Sequence, residues 1–132
     1  MHPADAEKQA AERAQFVAIA AVGRWEVIVK ALTPILGQRG VAALYRRTLD
    51  VAGRLHPCLI QAHESNEPVT FKRLRRVLSQ QAPEAAAAAT DASLEKLHEL
   101  LDSLMGTSLT QRLLGSAWSP ILSGSPAQDT ET

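Results

Sequence analysis

The chain has 132 residues, enough for one domain that buries about two-thirds of its unfolded surface without covalent staples. Its 14 Lys/Arg equal its 14 Asp/Glu, which excludes a uniformly basic or acidic protein, and its one cysteine, Cys58, excludes an internal disulfide framework. Twenty-two alanines and 17 leucines with few aromatics favour helix, and 32 residues of Leu, Ile, Val and Phe are too many for compositional disorder.

The start, Met1-His2-Pro3-Ala4-Asp5, lacks a basic segment leading into an apolar core, so no secretory signal is expected. The longest near-apolar window, Phe16 to Ile35, carries Arg24, Glu26 and Lys30, which argues against a membrane span. One cysteine and no export signal lead to a cytoplasmic expectation.

The first predicted helix covers residues 4–32. Two apolar stripes recur along it at helical spacing: Val17, Ala21, Ile28 and Leu32, and Phe16, Ala20, Gly23 and Val27. Thr33-Pro34 is expected to stop it or to start a new turn, and Gly37 and Gly40 loosen the link. A second helix spans residues 41–55, with Val41, Leu44, Tyr45, Thr48, Ala52 and Leu55 on one face and Arg46, Arg47, Asp50 and Arg54 mostly opposite. His56-Pro57 ends it. Residues 58–64 suggest a short extra turn, and Ser65-Asn66-Glu67-Pro68 is turn chemistry.

The third helix, residues 70–81, points Phe71, Leu74, Val77 and Leu78 at the core. Pro83 restarts the chain for a fourth helix, residues 83–105, in which Leu94, Leu97, Leu101 and Leu104 form a seam. Gly106 suits a C-terminal cap. A fifth helix, residues 109–118, carries Leu109, Leu113 and Ala117, with Leu114 and Trp118 alongside. Residues 123–132 are polar and Ser/Gly/Pro-rich and read as a flexible tail. The expected fold is therefore all-α: a compact helical bundle of four main helices plus one or two short ones, in a single domain over residues 1–122.

Charge is uneven along this neutral chain. Residues 24–76 hold ten Lys/Arg against four Asp/Glu, and residues 77–132 hold two against seven. The densest positive stretch is Lys72, Arg73, Arg75 and Arg76 on the third helix. A row of cations suits phosphate, but no base-reading side chains or stacking aromatics accompany it. The competing expectation is a solvated or internally paired face, with Asp91 and Glu95 of the next helix brought near Arg73 and Lys72 by a hairpin at Ala82-Pro83.

Other chemistry has less support. His56, Cys58 and His63 supply three soft ligands where a structural zinc site needs four. A phosphoryl-accepting histidine on a helical bundle would need other neighbours than the Glu99-Leu100-Leu101-Asp102 that follows His98. No Gly-rich phosphate loop, nucleophile elbow or HExxH pattern is present. No catalytic residue, metal or cofactor is therefore expected.

The reading these features favour is a non-enzymatic helical interaction or regulatory domain, self-associating as a homodimer, accessory to bacterial signalling. The Ala-, Leu- and Arg-rich usage is that of a bacterial chain from a GC-rich genome. Its partner would be a protein or a second copy, with no membrane involved. The contact residues would be Arg46, Arg47, Lys72, Arg73, Arg75 and Arg76 around an apolar face that takes an acidic or amphipathic helix. The alternative is a nucleic-acid-binding regulator using residues 72–76.

Overall fold

Helix-forming residues run from Ala4 to Thr33 with no proline among them, and the chain responds with one long element. The computed structural model describes residues 3–64 and 68–118. It contains α1 (Pro3–Ala52), a 3₁₀ turn (Pro57–Ala62), α2 (Lys72–Ser79), α3 (Pro83–Met105) and α4 (Thr107–Trp118), with no strand among the described residues. The fold is the expected all-α bundle. Residues 65–67 of the expected turn and the tail at 123–132 lie outside the described residues.

The break in α1 falls later than Thr33-Pro34. Proline inside a helix removes the bond to the carbonyl four residues back, yet the helix continues through it. Pro34 is exposed, and the Thr33 hydroxyl donates to the Val29 carbonyl at 2.6 Å. The helix stops at Gly37, whose φ of 78° and ψ of 164° lie where only glycine rests without strain. α1 is therefore two arms, residues 3–36 and 38–52. Both enter one core, which holds Trp25, Ile28 and Leu32 from the first arm and Leu44, Tyr45 and Leu49 from the second.

After Ala52 the chain turns tightly. A Cβ on Gly53 would lie 2.6 Å from the Leu49 carbonyl oxygen and would collide with the Ile60 side chain, so glycine lets the 3₁₀ turn close onto α1. Leu55, expected on the buried face, lies in this turn beyond the helix and is 80% exposed. The turn buries Leu59 and Ala62 instead.

α2 packs chiefly on α1 and the 3₁₀ turn, whereas α3 packs on α1 and α4. Phe71, Leu74, Val77 and Leu78 are all buried as expected. Along α3, Ala86 and Ala89 present thin buried surfaces, and Leu94, Leu97 and Leu101 continue the buried face. Leu104 leaves the seam and is 66% exposed, because the helix is in its last turn there and ends at Met105 before Gly106 reverses the chain at φ 88°. On α4 the buried stripe is Thr110 and Leu114, with Leu109 at the surface and Leu113 half-buried. The buried face of α4 is thus turned by one residue from the expected Leu109/Leu113 stripe towards Leu114.

Candidate interaction surface

Two elements build the surface: the first arm of α1 and the short helix α2. An aromatic cluster sets their relation. The rings of Trp25 and Tyr45 meet edge-on with centroids 5.1 Å apart, Tyr45 and Phe71 do the same at 5.1 Å, and Trp25 and Phe71 close the triangle at 6.0 Å. Such edge-to-face pairs add about 0.5–1.5 kcal/mol beyond area burial. They join both arms of α1 to the residue that starts α2. The Trp25 indole N–H donates to Ser93 Oγ at 3.2 Å, which brings in α3.

Phe71 itself has a left-handed backbone at φ 63°, an uncommon state for a bulky residue. Glu64 stabilises this corner. One carboxylate oxygen accepts from the Thr70 amide at 2.7 Å and its hydroxyl at 2.9 Å, and the other accepts from the Phe71 amide at 3.1 Å. Glu64 is thus the anion at the start of a helix that has none in its own first turn. Its sequence signal was weak, because the carboxylate acts six and seven residues further along the chain.

The four cations of α2 are all exposed. The internal pairing expected with Asp91 and Glu95 is absent: no ion pair within 4.0 Å involves Lys72, Arg73, Arg75 or Arg76 among the described residues. The reason is geometric, since α2 lies against α1 and touches α3 little. Lys72, Arg75 and Arg76 instead line a cleft of about 480 Å³ with Ser79 and with Gln15, Ala18 and Ile19 of α1. Arg73 does not line this cleft, nor do Arg46 and Arg47, which are exposed on the second arm of α1. Of the six cations expected to make contacts, the structure gathers three.

The first arm of α1 buries Ala14, Ala18, Ala21, Trp25, Ile28 and Leu32. The second apolar stripe lies on the opposite side and faces outward. Phe16 is 74% exposed, Val27 54% and Ile19 51%, with Ala20 and Gly23 exposed between them. Periodicity showed both stripes but could not say which one the bundle covers. On the other side of this ridge from α2 is a second cleft, of about 600 Å³, lined by Gln9, Glu12, Arg13, Phe16, Val17 and Pro83. Arg13 spans its edge, 3.8 Å from Glu84.

The remaining polar groups stay in local structure. His63 Nε2 lies 3.0 Å from Asp50 Oδ1, and His98 Nδ1 lies 3.4 Å from Asp102 Oδ2. Cys58 is half-buried, and burial pushes its thiol above the usual range, partly opposed by a backbone hydrogen bond; this disfavours the reactive thiolate. His56, Cys58 and His63 do not converge: among the described residues no three His, Cys, Asp or Glu side chains form a metal-ligating group. Also among them, no helix is long and apolar enough to cross a membrane.

No protein-family model, curated protein or solved structure matches the chain.

Proposed function

We propose that the chain is a non-enzymatic helical interaction domain that self-associates through the outer face of the first arm of α1. One observation carries this reading: Phe16, Ile19 and Val27, each at least half exposed, form a continuous apolar ridge with Ala20 and Gly23. Single exposed apolar residues are ordinary, whereas a contiguous apolar patch rimmed by charge marks an interaction site. The rim here is Glu12, Arg13, Glu26 and Lys30 on α1, with the α2 cations beyond. Twofold self-association is the commonest way for a soluble chain to cover such a face.

The test is sedimentation equilibrium over a dilution series. The wild type is expected to dissociate from dimer to monomer on dilution. Phe16→Glu is expected to be monomeric throughout, with an unchanged helical circular dichroism spectrum because the side chain touches no core. A wild type that is monomeric at every concentration overturns the reading.

The unpaired cations of α2 favour one second reading, a nucleic-acid-binding regulator. It predicts binding to random duplex DNA that weakens steeply with salt and that Arg75→Glu/Arg76→Glu abolishes. No binding at low salt removes it.

A further inference from the structure

We propose, resting on the self-association above, that the partner is a second copy lying antiparallel across α1. The twofold axis passes between Ala20 and Gly23, and Glu26 of each copy enters the mouth of the basic cleft of the other.

The argument starts from where residues fall around the helix. With 3.6 residues per turn, Phe16, Ala20, Gly23 and Val27 share the crest of the ridge. Ile19 and Glu26 fall on the flank towards α2, where Ile19 lines the basic cleft, and Glu12 and Lys30 lie between that flank and the crest, close enough to the crest for Glu12 to border the second cleft as well. Arg13 falls on the opposite flank, where it meets Glu84 of α3.

In a parallel pair each crest residue meets itself. Phe16 would face Phe16 at one end and Val27 would face Val27 at the other, an uneven wedge. Glu12 would lie level with Glu12 and Lys30 with Lys30, on opposite flanks of the pair, so that Glu12 could not reach Lys30 of the other copy. An antiparallel pair places Phe16 of one copy against Val27 of the other at both ends, with Ala20 against Gly23 between them. The two small residues let the backbones approach, and the spacing is even.

This register also orders the charges. Antiparallel twofold symmetry brings like flanks together. Glu12 of one copy then lies within about one helical residue, roughly 1.5 Å along the axis, of Lys30 of the other. Both are exposed, with no ion pair among the described residues. Glu26 of one copy arrives level with Val17 of the other, between Gln15 and Ile19, which border the cleft that holds Lys72, Arg75 and Arg76. Glu26 is exposed and unpaired in the same sense. The register therefore matches two anions per copy with the cations left uncompensated within the monomer. It also gives the basic helix its role, as the receptor for an acidic residue on the second copy.

Cysteine cross-linking in a Cys58→Ser background reads the orientation. A 1:1 mixture of Glu12→Cys and Lys30→Cys proteins is expected to form a disulfide-linked heterodimer under mild oxidation, and Glu12→Cys alone is not. Charge reversal reads the contacts, again by sedimentation. Glu26→Arg is expected to weaken the dimer at least tenfold, and adding Arg75→Glu/Arg76→Glu in the same chain is expected to restore it. A dimer that cross-links through Glu12→Cys alone, or that ignores Glu26→Arg, overturns this register while leaving self-association intact. A wild type that never dimerises overturns self-association itself, and this register with it.

Discussion

Tyr45 fills the middle of the aromatic cluster, and its hydroxyl has no hydrogen-bond partner among the described residues. A buried donor left unsatisfied costs about 1–3 kcal/mol, and removing it with the ring kept recovers part of that. Tyr45→Phe is therefore expected to stabilise the fold by about 1 kcal/mol, read by urea denaturation. The phenol is also pushed far above its ordinary value, first by burial and then by the charge of Glu64. The folded state thus favours the neutral phenol. The resulting stability is fully present below the unfolded value of about 10 and is lost as pH rises above it. Tyr45 is the only tyrosine, so phenolate absorbance at alkaline pH is expected to rise together with loss of the helical signal. Absorbance that rises while the helix signal stays intact would show the ring to be accessible in the folded protein.

The elements depend on a few backbone positions more than on propensity. Gly37 converts one 50-residue helix into two arms that share a core. Gly37→Ala places a side chain at φ 78° and is expected to cost about 1–3 kcal/mol, measured as a lowered denaturation midpoint. No such cost would mean that the arms can re-angle without losing their contacts. The fourth helix was legible to the residue, since Pro83 starts it and Gly106 ends it. The first two were not separable at the expected place. Proline at an exposed position was tolerated, and the conformation of a glycine three residues later decided the break. The basic helix was legible as amphipathic, and Phe71, Leu74, Val77 and Leu78 all face inward. Its partner helix was not, because a short α2 tilts onto α1 and leaves the acidic face of α3 elsewhere.

At the scale of the whole molecule, the bundle buries one stripe of α1 and leaves the opposite one apolar and bare. A dimer that covers it gains stability by mass action. The thermal midpoint of the wild type is therefore expected to rise with protein concentration, and that of Phe16→Glu to stay constant, both read by calorimetry. Equal midpoints at all concentrations for both proteins would place no stabilising association on this face.

The sequence by itself determined the helical class, most core positions of the later elements and the presence of a local cation cluster. Each of these follows from composition, periodicity and caps, which act within a few residues. Tertiary structure alone decided which stripe of α1 faces the core, where α1 bends, that Glu64 anchors the start of α2, and that three of the four α2 cations open towards α1 rather than pairing with α3. Those outcomes depend on how elements of unequal length pack together. Helical periodicity shows that a face is apolar, but only the neighbours show whether anything covers it.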